Sequence, residues 1–240
     1  GTIVQPPPMG EKIAIAGCTW LVEEVDHQRH LVYCTLVKGQ VPAYFGECPG
    51  DIHTRILERM RQVLAEDAMY PYVMGNAQAR LRQARATAHA AGMLTQPLVN
   101  LGGNMWGLFP WLGSYAFLAL ERFLKRICAP ELNLKGLDSS RPYFLQFRMD
   151  ASEEEFWQVL ARHVSAGFSP MELLYDGEVP VFEKYDTFVP AELIRKGFAY
   201  GVLDVPGMVQ RVCEWTGAVP NSTFGLPGGP ASLPGAEQGA

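Results

Sequence analysis

No apolar run in this sequence reaches the ~18 residues that a membrane-spanning helix needs. The longest stretch, Trp106 to Leu120, is interrupted by Gly107, Pro110 and Gly113, which excludes a membrane span there. Cysteine is scarce: Cys18, Cys34, Cys48, Cys128 and Cys213 are odd in number and form no C-x-x-C. That usage points to reduced thiols and a cytoplasmic setting, not to a disulfide framework. An excess of basic charge is missing as well, since 20 Lys and Arg stand against 25 Asp and Glu for a net charge of −5. A polyanion binder acting through bulk charge is thereby excluded, and any nucleic-acid contact has to use a local patch. Thr2 to Pro8 has neither the basic nor the apolar region of a signal peptide. A start at Gly1 with no initiator Met points to a piece of a larger protein.

Motifs for nucleotide and metal chemistry are also absent. Gly10-Glu11-Lys12 has the glycine and lysine of a phosphate loop without the loop, and no Rossmann glycine triplet, H-E-x-x-H or G-x-S-x-G occurs. His27, His30 and Cys34, with Cys18 or Cys48 as a fourth ligand, could in principle touch a metal. Neither pair has knuckle spacing, so the cluster reads as a polar turn beside a packed strand cysteine. Glu153 to Glu155 follow Ser152 as helix-start chemistry. Asp186 and Glu183 near Tyr185 read as solvent-facing positions on an edge strand. No catalytic residue, metal site or cofactor is expected within the chain.

What is present is a core. Across 240 residues, 48% are apolar, with 12 Phe, 9 Tyr and 5 Trp, which excludes wholesale disorder. The pattern is α+β in four regions. Residues 1–50 alternate in short β-branched and aromatic runs (13–15, 19–25, 31–37 and 41–45), predicting a meander that curls into a small barrel to hide its edges. Residues 51–96 predict a helical hairpin. Asp51 would cap its first helix, whose stripe is Ile52, Ile56, Met60, Val63 and Leu64. Asn76 would cap the second, which ends at a left-handed Gly92 and packs through Ala77, Leu81, Ala84 and Ala88. Residues 97–216 predict an α+β unit: a hairpin turning at Gly102-Gly103-Asn104, a helix 115–127, a strand 143–149 and a helix opened by Ser152. A strand within 181–188, a helix led by Pro190 and one capped by Asp204 complete it. Residues 217–240, rich in Gly and Pro, predict a disordered tail.

Two constellations bear on function. Leu101 to Gly113 packs four glycines and Trp106, Phe109 and Trp111 into thirteen residues. It is either a surface on which Trp106 or Trp111 stacks on a base, or a hairpin whose aromatics plug the core. Arg82, Arg85 and His89 lie three and four apart on one helix, with Arg80 on it and Arg59 and Arg61 on the helix before. They form either a strip that contacts phosphate or an ordinary solvated face.

Five collinear segments carry a family resemblance: Gly17 to Asp26, Gly50 to Ile56, Tyr70-Pro71-Tyr72 running into Asn76-Ala77, Gly102 to Gly113, and Lys184 to Lys196. Together they resemble the C-terminal accessory region of large bacterial DEAD/DEAH-box helicases of the Lhr-like (large helicase-related) group, over residues ~13 to ~200. Trp20, Val22, Val25 and Asp26 match that group's Trp-x-Val-x-x-Val-Asp, whereas Cys18 stands where a basic residue is expected. The resemblance implies upstream motor domains in the same parent chain, with ATP and Mg²⁺ bound there, and a role in DNA repair or recombination. The implied partner is single-stranded or forked nucleic acid, with no membrane. No motor residue lies in this chain, so none is carried over. Two other functions stay open: a protein–protein docking or oligomerisation module of the helicase, and a DNA-glycosylase-like repair domain.

Overall fold

A computed structural model describes residues 7–15, 18–39, 51–181 and 184–224. The chain divides into two compact units, residues 1–50 and 51–240. The fold is α+β.

The first unit is an antiparallel meander of β1 (Lys12–Ile15), β2 (Cys18–Asp26) and β3 (Leu31–Val37), in the order β1-β2-β3. Asp26 starts the turn between β2 and β3 by accepting the backbone N–H of Gln28 and of Arg29, each at 3.0 Å. Val22 is its one fully buried apolar residue among those described, and Thr19 Oγ1 donates to the Gly39 carbonyl at 2.7 Å. The predicted barrel is corrected to an open sheet. Among the described residues three short strands leave both edges unclosed, and the predicted strand 41–45 lies outside those residues.

In the second unit, α1 (Thr54–Ala65) and α2 (Gly75–Ala90) form the helical hairpin. His53, not Asp51, caps α1, accepting the Arg55 N–H on Nδ1 at 3.2 Å. Asp51 instead accepts the Tyr115 hydroxyl. The predicted stripe of α1 is also corrected: Leu57 is the buried residue, while Ile56 and Met60 are exposed. Gly92 takes the expected left-handed conformation, with φ 70°.

A four-stranded antiparallel sheet follows, ordered β4-β5-β7-β6, from β4 (Leu98–Gly102), β5 (Met105–Leu108), β6 (Lys135–Ser140) and β7 (Phe144–Arg148). Gly102 and Gly103, at φ 120° and 58°, make the hairpin turn. Strand β6 was not expected, because Lys135 to Ser140 is polar and a register shift interrupts its pairing with β7. The inward residues Leu108, Leu145 and Phe147 share one core with α3 (Ser114–Phe123), α5 (Glu153–Ala166) and α7 (Val205–Thr216). Phe147 stacks on Phe156 with ring centroids 5.7 Å apart. Short α4 (Ala129–Leu132) and α6 (Ala191–Gly197) complete the helices, and α3 and α6 each run on into a wider π turn.

Two further expectations are corrected. The predicted strand within 181–188 is a 3-10 turn at Asp186–Phe188, and Asp186 is buried instead of solvent-facing; Glu183 lies outside the described residues. Residues 217–224, predicted as disordered, are instead held against the fold. Asn221 donates its N–H to the Val164 carbonyl at 3.2 Å, and Phe224 is buried against Phe168 at 4.9 Å between ring centroids. The rest of that tail lies outside the described residues. No helix among the described residues is long and apolar enough to cross a membrane.

Candidate nucleic-acid interface

Helix α2 carries arginines and a histidine and no carboxylate, and no Asp or Glu occurs anywhere from 68 to 120. Among the described residues, Arg80, Arg82 and His89 are exposed and make no ion pair. Several arginines elsewhere behave differently. Arg59, Arg122, Arg126, Arg141, Arg162 and Arg211 each hold a carboxylate. Helix α2 thus presents positive charge with no carboxylate on the same helix, although Arg55, Arg61, Arg148 and Arg195 also lack an ion pair among the described residues.

The structure splits the predicted strip. Arg82 and His89 are two turns apart along one exposed edge, but Arg85 is only 5% exposed. The seam of α2 runs through Leu81, Arg85 and Ala88, not through Ala77 and Ala84, which are exposed. Arg85 enters it because its long stem packs while its Nε–H finds a carbonyl and its head faces a ring. Its Nε donates to the Val63 carbonyl at 2.9 Å, and the guanidinium lies 5.9 Å from the Tyr70 ring centroid. Val63 sits in the last turn of α1, where carbonyls lack a helical partner and a cation is favoured. Arg85 therefore ties the two helices together. Tyr70 is itself held by Glu66, to which its hydroxyl donates; the bond lowers the Glu66 carboxyl and raises the Tyr70 phenol from their ordinary values.

The two tryptophans also separate. Trp106, on β5, is half-buried against the core and donates Nε1–H to the Met149 carbonyl at 3.3 Å. Trp111 is buried in a second cluster with Leu57, Ala88 and Leu94, so it does not project from the outer surface as the sequence reading allowed. The following turn is fixed by the start of α1. Gly113 N–H donates to Thr54 Oγ1 at 2.9 Å, Ser114 N–H to the Ile52 carbonyl at 2.9 Å, and Ser114 Oγ accepts the Ile52 N–H at 3.0 Å.

Trp111 lines a cavity of about 220 Å³ together with Arg61, Thr95, Arg211, Glu214 and Trp215. A second cavity, of about 280 Å³, includes Arg55, Glu58 and Asp204 and shares Arg211 and Glu214 with the first. Its carboxylates outnumber its guanidinium groups, which disfavours phosphate there. Arg211, the shared wall, binds Glu58 at 2.7 Å and Glu214 at 3.2 Å. Sequence reasoning passed over Arg211, Glu214 and Trp215. The usable signal was register: Met208, Arg211, Val212 and Trp215 share the buried stripe of α7, an odd place for an arginine.

Among the described residues, no three His, Cys, Asp or Glu side chains are grouped to hold a metal ion. His27 and His30 are exposed in the β2–β3 turn, and Cys48 lies outside the described residues. No protein-family model, no curated protein and no solved structure matches this chain.

Proposed function

We propose that this chain is a non-motor accessory region of an ATP-dependent superfamily 2 helicase of the Lhr-like group, and that it guides a nucleic-acid strand along the exposed edge of α2. The observation that carries the reading is the segregation of charge. In a chain of net charge −5, Arg82 and His89 project from a helix with no carboxylate, inside a stretch from 68 to 120 that has none. A motor grips the backbone without sequence preference, and an appended cationic edge restrains the strand it delivers. Further support comes from where two of the resembling segments lie: Gly50 to Ile56 and Gly102 to Gly113 meet at the hydrogen bonds of Thr54 with Gly113.

A salt titration of fluorescence anisotropy with labelled single-stranded DNA tests the reading. The double variant Arg82→Ala/His89→Ala weakens binding, and the slope of log K against log salt falls by about 0.7 for every phosphate the variant no longer neutralises. An unchanged slope removes the α2 edge from the interface. ATP turnover by this chain alone contradicts the accessory role.

A second reading, protein docking, rests on a different observation. Val181, Tyr185, Phe188, Leu193 and Tyr200 are all more than half exposed in one stretch of chain. Large apolar side chains grouped at a surface are the mark of a protein interface. Absence of strand binding together with self-association that Phe188→Ser abolishes would favour it.

A further inference from the structure

We infer that the cavity walled by Arg61, Trp111, Arg211 and Trp215 is a pocket for one unpaired nucleobase. The inference deepens the strand-binding reading and rests on it for the source of the base.

Size comes first. A cavity of about 150 Å³ takes one benzene ring, so the observed 220 Å³ holds one flat heterocycle and has no room for a base pair. The walls suit that shape. Trp111 and Trp215 offer indole surface, and two guanidinium planes are held in place. Arg61 donates twice to the Leu94 carbonyl, from Nε at 2.9 Å and Nη2 at 2.5 Å, while Glu58 and Glu214 hold Arg211. Fixed guanidinium planes and indoles are the surfaces on which bases stack. Glu214 already accepts from Gln210 at 3.1 Å and from Arg211, and each carboxylate oxygen keeps acceptor capacity for a ring N–H or exocyclic amine. Glu58 and Glu214 neutralise Arg211, so Arg61 is the cation of the wall with no carboxylate partner among the described residues.

Trp111 carries the second observation. Its backbone φ is 54°, a left-handed conformation that is an outlier for so bulky a residue. Its side chain is 6% exposed, and Nε1–H is buried with no acceptor among the described residues. Strain and an unpaired donor coincide on one residue, and such coincidences collect at ligand sites. The pocket also lies next to the α2 edge along the chain, since Thr95, on its rim, follows His89 by six residues. A strand with its phosphates on α2 would need to reach the cavity past the His89 end of the helix, which Thr95 follows closely in the chain.

The test titrates the ¹⁵N-labelled chain with dAMP and follows the indole N–H resonances of its five tryptophans; Trp111→Phe assigns the key signal. The Trp111 and Trp215 signals shift saturably while that of Trp20 stays in place. Thr95→Phe, which fills the cavity from an exposed position, abolishes the shifts. No saturable shift at millimolar dAMP, or a shift unaltered in Thr95→Phe, overturns the pocket. A second arm compares a dT oligomer with an abasic oligomer of equal length. Loss of the bases weakens binding about 5- to 100-fold in the wild type and little in Thr95→Phe. Equal affinity for the two oligomers in the wild type overturns a strand base as occupant. Failure of both oligomers to bind removes the α2 reading, and the dAMP arm still decides the pocket.

Discussion

A methyl group at Gly113 would stand 2.5 Å from the Ile52 carbonyl oxygen and 2.6 Å from the Thr54 nitrogen. Its φ of −67° is open to any residue, so what excludes a side chain is close approach, not backbone freedom. Both obstructing atoms are backbone and cannot rotate away. Gly113→Ala therefore has to part the start of α1 from the start of α3, breaking the hydrogen bonds of Gly113 and Ser114. We expect a loss of about 3 kcal/mol, read as a Tm roughly 10 °C lower. A Tm within 2 °C of wild type would show that the seam yields at little cost. A glycine-rich block suggests a place for a ligand to approach; at Gly113 what approaches is the chain itself.

Helices and strands were legible in proportion to their periodicity and punctuation. The Gly102-Gly103 turn, the Ser152 and Asp204 caps and the left-handed Gly92 follow from local chemistry, and the structure has them all. Burial on the helical hairpin was not legible, because it depends on a partner that local pattern does not name. Leu57 replaces Ile56 and Met60 at the seam since it is the residue that meets Ala88, Leu94 and Trp111. Spacing alone groups Arg85 with Arg82, yet it turns inward to the end of α1. Arg85→Met tests that structural role. It retains the packing stem and loses the bond to Val63, so we expect about 1–2 kcal/mol of destabilisation. The salt slope of strand binding should stay at its wild-type value. A reduced slope with unchanged Tm would return Arg85 to the interface.

Across the whole molecule, an acidic net charge coexists with carboxylates that the fold holds ionised. Hydrogen bonds from Arg122, at 2.6 and 2.8 Å, keep the Glu178 carboxyl below its ordinary value against the opposing effect of partial burial, and the Tyr175 N–H adds to them. At Glu121 burial is the largest influence and raises the value, but Lys125 and Arg141 together outweigh it and the net shift is downward. Most of these bonds join distant parts of the sequence, which is why spacing along the chain gave no sign of them. A carboxyl lowered on folding contributes stability above its unfolded pKa, about 4.3 for Glu, and loses it as pH falls through the lower folded value. The second unit is therefore expected to hold its Tm near neutrality and to lose stability progressively below about pH 4.5. Glu178→Gln removes one contributor. Its Tm lies below wild type at pH 7, and the gap narrows as both are acidified toward pH 3, because protonation takes from the wild type what the substitution has already removed. Thermal melts of the two proteins from pH 7 to pH 3 decide the matter: a gap that stays constant or widens on acidification would mean that Glu178 stabilises the fold by packing and not as a charged partner of Arg122.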